Sequence, residues 1–147
     1  MSVPAALITL ALLLAVSTAL AVLLRRRSGR GREVAARPDR QIPLVEGQLG
    51  SVATFVQFGT DTCAPCHVAA RRIKAFAAEH PGVVHLELDT VDHPDLARRL
   101  NIISAPTTFL LDAGGAIRVR FSGVPRPEEL ARHLTSVSDL TGADNAH

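Results

Sequence analysis

The chain has 147 residues, of which 47% are hydrophobic and 3% aromatic, with five Phe and neither Tyr nor Trp. Its formal charge of +2 conceals two regions of opposite sign, because residues 25–40 carry a net charge of +5 and residues 41–147 a net charge of −3. A mildly acidic region without an aromatic stacking platform argues against nucleic-acid binding. The length beyond the N-terminal segments suffices for one small domain.

An apolar segment opens the chain. Residues 5–24, from Ala5 to Leu24, contain no charged side chain, and at 1.5 Å per residue they are long enough to cross a hydrocarbon core of about 30 Å. The alternative is a cleaved secretory signal, but such a signal begins with basic residues and residues 1–4 contain none. We therefore predict a single membrane-spanning helix. Five Arg follow within residues 25–32, which predicts a domain on the cytoplasmic side, with the extracytoplasmic face as the alternative.

Residues 25–44 connect this helix to the rest of the chain. They are rich in Arg, Gly and Pro and poor in apolar residues, so they predict a solvated tether whose Arg side chains also attract anionic lipid head groups. Residues 45–138 are predicted to form the folded domain. The polar residues 139–147 are predicted to be a flexible tail.

Within the domain, predicted strands and helices alternate. Runs of apolar residues predict strands, and apolar residues at helical spacing predict helices. In chain order the predictions are a strand over 52–58, a helix over 63–79, a strand over 83–89, a short helix over 94–100, strands over 107–111 and 117–121, and a helix from residue 127. The order β-α-β-α-β-β-α predicts an α/β domain around one central sheet.

The only two cysteines, Cys63 and Cys66, lie where the first predicted strand of the domain gives way to a helix. The unpaired N–H groups and the dipole at a helix N-terminus stabilise a thiolate, which is the reactive form of cysteine. A separation of three residues keeps both sulfurs on one helical face, close enough to alternate between dithiol and disulfide. We predict that Cys63 is the attacking nucleophile and that Cys66, one turn inward, resolves the mixed disulfide.

The same residues allow other interpretations. His67 extends the motif to C-x-x-C-H, the pattern that attaches c-type haem, but the only Met available as a second axial ligand is Met1, although another His could serve. A structural zinc site takes four Cys or His ligands, and the chain has no second C-x-x-C pair. Two inert buried cysteines are the remaining alternative. A C-x-x-C beside a βαβ pattern favours redox chemistry, so we expect neither a metal nor a cofactor.

The motif Cys63-Ala64-Pro65-Cys66 and the order of elements resemble the thioredoxin family over about residues 52–137. A second motif, Ser104-Ala105-Pro106-Thr107-Thr108-Phe109, is similar to the loop in which that family places a cis-proline before a strand. The resemblance implies a thioredoxin-like fold with a central mixed sheet.

The resemblance also implies a substrate groove. In the family the cis-proline packs beside the cysteine pair, and the neighbouring backbone binds the substrate peptide like an added strand. Carried over to this chain, Pro106 is the cis residue and Ala105 the recognition position. Gly123 matches a glycine near the groove, and Thr62 occupies the contact position before the first cysteine.

Three residues depart from the family pattern. Thr62 replaces a common Trp, Ala64 replaces a Gly, and Gln57 replaces a buried Asp in the preceding strand. A neutral Gln57 cannot accept a proton from Cys66 as a carboxylate could. The residues that we expect to tune the redox pair are Gln57, Asp61, Ala64, Pro65 and His67.

Asp61 is a like charge that opposes a thiolate, whereas His67, Arg71 and Arg72 favour one. Solvated capping is the simpler role for Asp61. His85, on the next strand, is interpreted as a strand-face residue and not as a catalytic one.

These features predict a membrane-tethered thiol:disulfide oxidoreductase that reduces protein disulfides or mixed disulfides on the cytoplasmic face. Its electron donor would be a thioredoxin reductase or a membrane redox partner. The alternatives are a non-turnover module that docks a membrane partner and senses redox state, and a c-type haem carrier.

Overall fold

The computed structural model describes residues 3–35, 41–45 and 47–144. The helices are α1 (Val3–Arg27), α2 (Ala64–Ala78), α3 (Pro94–Arg99) and α4 (Pro127–Asp144). The strands are β1 (Gly31–Glu33), β2 (Ala53–Gly59), β3 (Val83–Asp89), β4 (Thr107–Asp112) and β5 (Ile117–Ser122). From β2 onward the predicted order β-α-β-α-β-β-α is confirmed, and the boundaries of the predicted strands agree within one residue.

The five strands form one mixed sheet in the order β1-β5-β4-β2-β3. The central strand β2 is parallel to β3 and antiparallel to β4, while β5 is antiparallel to both β4 and β1. The parallel pair requires a crossover connection, which α2 supplies. The predicted mixed sheet is therefore confirmed.

Two apolar layers cover the two faces of the sheet. Alternate residues of β2 point to opposite sides, so Phe55 packs in the layer that includes residues of α2 and α4, whereas Phe58 packs in the layer that includes residues of α3. Each layer contains an edge-on aromatic pair, Phe55 with Phe76 at 6.0 Å between centroids and Phe58 with Phe109 at 5.8 Å. The remaining contacts are mostly aliphatic, as the composition predicts.

The predicted tether needs a correction, because three of its residues form β1. Gly31, Arg32 and Glu33 pair antiparallel with Phe121, Arg120 and Val119 of β5. The strand carries no apolar side chain and therefore gives no sequence signal. It forms because the exposed edge of β5 offers unpaired backbone groups. The tether residues 36–40 lie outside the described residues.

Two other segments at the ends of the chain can be compared with their predictions. Val3–Leu24 within α1 has a mean hydropathy of 2.7 over its most apolar window, none of which is buried in the structure. This helix is long and apolar enough to cross a membrane, and its insertion stays a prediction. The final helix continues to Asp144, so the segment predicted to be a flexible tail is helical at least that far.

Candidate redox site

Cys63 and Cys66 form a disulfide at the N-terminus of α2, with 5.2 Å between their Cα atoms. Cys63 is the N-cap residue, and its Sγ accepts a hydrogen bond of 3.3 Å from the backbone N–H of Cys66. Pro65 lies in the first turn of the helix, where a missing N–H has no helical partner to lose. The same N–H also donates to the backbone oxygen of Cys63 at 3.0 Å, so the first turn of α2 holds the Cys63 sulfur at its N-terminus.

The two sulfurs differ in accessibility. Cys63 is half-buried, whereas Cys66 is only 4% exposed. An incoming disulfide can reach the first cysteine from solvent but has little access to the second. This asymmetry is what a nucleophile followed by a resolving cysteine requires.

Gln57 lies beneath Cys66. Its side chain is 2% exposed, and Nε2 donates a hydrogen bond of 2.9 Å to the backbone oxygen of Cys66. The other side-chain atom, Oε1, is buried without a hydrogen-bond partner among the described residues. Gln57 therefore positions the start of α2, but its amide has no basic group to receive a proton.

The sequence did not point to Gly59, which lies two residues after Gln57 on the same face of β2. A Cβ added at this position would lie 3.0 Å from Cys66 Sγ and 3.1 Å from Cys66 Cβ. The absence of a side chain lets the buried sulfur pack directly against the strand. A glycine at the end of a strand also fits an ordinary turn, so the sequence gives no separate signal for this contact.

A cleft of about 310 Å³ opens beside the buried cysteine. Four of its lining residues are acidic, namely Asp61, Glu87, Asp89 and Asp92, and they are accompanied by His67. His67 Nε2 lies 2.9 Å from the backbone oxygen of Asp61, to which it donates. Four carboxylates therefore line the cleft beside Cys66, and their negative charges oppose a thiolate there.

The loop that contains Pro106 lies at the same end of the sheet as the cysteine pair. The Ala105–Pro106 peptide bond is cis, as the resemblance implies. Pro106 is buried and its backbone oxygen accepts a hydrogen bond of 2.8 Å from Gly123 N–H, whereas Ala105 is exposed. Gly123 has a φ of +84°, a conformation that favours glycine.

The sheet register brings these segments to one end of the domain. Phe58 pairs with Thr107 and Thr107 pairs with Ser122. The loops that carry Cys63, Pro106 and Gly123 therefore all lie at the same end of the strands. Thr62 is exposed at this end.

One of the residues predicted to favour a thiolate has another partner. Arg72 Nη1 donates a hydrogen bond of 2.8 Å to the backbone oxygen of Pro125, and thereby links α2 to the loop after β5. His85 pairs with Phe55 in the sheet, on the α2 side and away from the cysteines. Burial lowers the pKa of His85, and Lys74 adds to this effect while Glu87 opposes it. The interpretation of His85 as a strand-face residue agrees with this position.

Comparisons with known proteins bear on this geometry. The family model described as Thioredoxin matches residues 48–136. The chain is 30% identical over 98 residues to mitochondrial thioredoxin of Bos taurus. The aligned residues make up 66% of this chain and 57% of that protein. It is also 30% identical over 77 residues to thioredoxin 1 of Chlorobaculum tepidum, which covers 52% of this chain and 75% of the relative.

A solved structure shows the same architecture. The structure of Fasciola hepatica thioredoxin superposes with a TM-score of 0.53 at 26% identity, over 64% of this chain and 88% of that one. The matched residues include strands β2 to β5, the cysteine pair and the loop of Pro106. The chain belongs to the thioredoxin family.

Proposed function

We propose that this protein is a membrane-tethered thiol:disulfide oxidoreductase that reduces protein disulfides or mixed disulfides at the cytoplasmic face of a membrane. The observation that carries the proposal is the cysteine pair at the start of α2, in which a half-buried Cys63 stands in front of a buried Cys66. Membership of the thioredoxin family supports the same chemistry.

The reaction begins with the reduced pair. The Cys63 thiolate attacks one sulfur of the substrate disulfide, and the other substrate sulfur leaves as a thiolate that takes up a proton. Cys66 then loses its proton and attacks Cys63 Sγ, which releases the second substrate sulfur. Two electrons pass from the pair to the substrate, and the enzyme is left with the Cys63–Cys66 disulfide.

A donor must then return two electrons. A thioredoxin reductase or a membrane redox partner would supply them by thiol–disulfide exchange through Cys63. The reaction needs no metal or cofactor on this chain, because the cysteine sulfurs carry both electrons.

The substrate groove is assigned to the loop of Pro106. Ala105 is exposed beside the buried proline and leaves its backbone accessible to an extended peptide. Gly123 and Thr62 contribute small surfaces at the same end of the sheet. The absence of a large side chain before Cys63 suits substrates with bulky groups around the disulfide.

Proton transfer at Cys66 takes a different route from one through a buried carboxylate. Gln57 holds the Cys66 backbone oxygen and cannot accept the thiol proton. The acidic cleft beside Cys66 supplies ionisable groups instead, and water in that cleft would carry the proton to them. Gln57, Asp61, Ala64, Pro65 and His67 are accordingly proposed to tune the pair.

The decisive experiment measures turnover. The full chain in lipid nanodiscs is mixed with a fluorescent peptide disulfide and an excess of a small dithiol as regenerating donor. We expect many substrate molecules to be reduced per protein and none above background by the Cys63→Ser variant. A single equivalent of substrate reduced per protein would instead identify a non-turnover redox-sensing module, and a haem absorption band after expression with attachment machinery would identify a haem carrier.

The side of the membrane is tested separately. Cells that express the protein are treated with a reductant and then with a membrane-impermeant maleimide. We expect Cys63 to be labelled only after permeabilisation. Labelling in intact cells would place the domain on the extracytoplasmic face and would reverse the expected direction of electron flow.

A further inference from the structure

The helix α1 leaves the domain at the redox end of the sheet. The first residue of β1, Gly31, pairs with Phe121, one residue before Ser122, and Ser122 pairs with Thr107 directly after Pro106. The chain therefore enters β1 at the end of the sheet where β2 ends. The segment after β2 leads to the cysteines. Three strand spacings of about 4.8 Å separate β1 from β2. The start of β1 therefore lies about 14 Å from the end of β2.

The connection between α1 and the domain is short. α1 ends at Arg27, and two residues later Gly29 N–H donates a hydrogen bond of 2.7 Å to the backbone oxygen of Ser122. Two residues of extended chain span at most about 7 Å. The C-terminal end of α1 is therefore separated by at most about 7 Å of chain from the residue that is bonded to Ser122, next to Gly123.

The connection is also packed tightly. Gly29 has a φ of +77°, and a Cβ there would lie 2.2 Å from the backbone oxygen of Val124. A Cβ on Gly31 would lie 2.3 Å from the ring of His133 and 2.6 Å from the ring of Phe121. Only glycine permits this close approach of the connecting backbone to the domain.

Hydrogen bonds continue along the connection. Gly31 N–H donates to Glu129 Oε2 at 3.0 Å, and Val34 N–H donates to the backbone oxygen of Arg118 at 2.8 Å. The connection is therefore bonded to β5 on one side and to α4 on the other. We call residues 28–34, which these bonds attach to the domain, the arm. They differ in this respect from a free tether, which would have no such bonds.

Resting on the proposed function, we propose that this arm holds the redox end of the domain against the membrane surface, so that the groove at Pro106 and Gly123 takes disulfides of membrane proteins that lie close to the bilayer. A free tether would let the domain reach disulfides at many heights. The arm instead restricts Cys63 to the layer next to the head groups, where its effective concentration toward such disulfides is high.

The experiment compares two insertions in the full chain, reconstituted in phosphatidylcholine vesicles. A flexible Gly/Ser insert of about twelve residues, with a root-mean-square span of about 20 Å, is placed between Arg27 and Ser28 in one variant and between Arg37 and Pro38 in the other. The first insert separates α1 from the arm. The second leaves the connection from α1 to β1 unchanged and serves as the matched control.

The readout is the rate of reduction of three probes that share one peptide disulfide. One probe is attached directly to a lipid head group, one is raised on a polyproline spacer of about thirteen residues and about 40 Å, and one is free in solution. We expect the unmodified chain and the control to reduce the low probe several-fold faster than the raised one. The insert after Arg27 should remove this preference and leave the rate for the soluble probe unchanged.

The outcomes separate the inference from the proposed function. The fixed arm is overturned if both insertion variants prefer the low probe to the same degree, or if the unmodified chain does not prefer it. In either case the rate of reduction of the soluble probe still measures the proposed enzyme activity. A chain that does not float with the vesicles overturns the membrane attachment and the inference with it. Failure to reduce the soluble probe refutes the proposed function itself.

Discussion

Gln57 Nε2 donates a hydrogen bond of 2.9 Å to the backbone oxygen of Cys66, while Gln57 Oε1 lies buried without a partner among the described residues. The side chain thus fixes the start of α2 on β2 but offers the resolving thiol no proton acceptor. Because Cys66 is proposed to resolve the mixed disulfide, we expect that step to depend on the chemistry at position 57.

We expect Gln57→Asp to accelerate the decay of the mixed disulfide at neutral pH. A buried carboxylate at this position would accept the proton of Cys66, and such general-base assistance contributes about 100-fold or more. The variant should also be less stable by about 1–3 kcal/mol, because it loses the bond to the Cys66 oxygen and buries a charge. Single-turnover kinetics and urea unfolding measure the two effects.

Gln57→Leu is the matched control for this prediction. It removes the same hydrogen bond without adding a base, so it should lower stability and leave the decay of the mixed disulfide no faster than in the unmodified protein. Equal acceleration in both variants would show that loosening of α2, and not proton transfer, controls the step.

The second prediction concerns Gly59. We expect Gly59→Ala to destabilise the oxidised protein by about 1–3 kcal/mol, because the added methyl group would lie 3.0 Å from Cys66 Sγ and force the sulfur or the strand to move. Exchange with a peptide disulfide should slow as well. Thermal unfolding of the oxidised form and stopped-flow exchange provide the measurements.

Gly114→Ala is the control for the glycine substitution. Its added methyl group meets only Asp112 Oδ1 at 3.4 Å, which is an ordinary contact, so stability and exchange rate should change little. If both alanine variants behave alike, the contact between Gly59 and Cys66 has no special importance.

The third prediction tests the roles of the two cysteines. Cys66→Ser leaves the accessible Cys63 able to attack but removes the resolving thiol, so it should accumulate mixed disulfides with substrates, whereas Cys63→Ser should form none. Non-reducing electrophoresis after acid quenching detects the adducts. Adducts with Cys63→Ser and not with Cys66→Ser would reverse the assigned roles.

The core strands and the redox pair could be predicted from the sequence because their signals are local. The apolar run that forms β2 and the spacing of Cys63 and Cys66 are visible within a few residues. The strand β1 could not be predicted, since Gly31 meets its partners Phe121 and Glu129 about ninety or more positions later. The bond from Arg72 to the backbone oxygen of Pro125 joins residues 53 positions apart, so the sequence gives no signal for it either.

The last prediction concerns acidification and His133, which is 2% exposed between Phe121 and the backbone of Gly31. Burial lowers the pKa of His133 below its ordinary value of 6.5, and Arg132 adds to this effect. Glu129, the backbone of Gly31 and Glu33 oppose it. Because the folded state favours the neutral ring, the stabilisation is complete above pH 6.5 and is lost as the pH falls below that value toward the lowered pKa.

We therefore expect the free energy of unfolding to decrease between about pH 7.5 and about pH 5.5, the range in which an ordinary His titrates. His133→Gln should flatten this dependence, and His85→Gln should flatten it by a separate increment, since burial also lowers the pKa of His85. Glu129 does not interfere: burial would raise the pKa of its carboxyl, but hydrogen bonds from Gly31 and Arg132 hold that pKa below its ordinary 4.5.

The measurement is urea unfolding at several pH values, combined with amide hydrogen exchange. Protonation of His133 places a charge against the arm, so exchange at Gly31 should accelerate on acidification more than exchange at Phe55 in the central strand. The Glu128→Gln variant, altered at an exposed neighbour, should keep the full pH dependence. A dependence that survives in the double variant of His85 and His133 would assign the acid sensitivity to other groups.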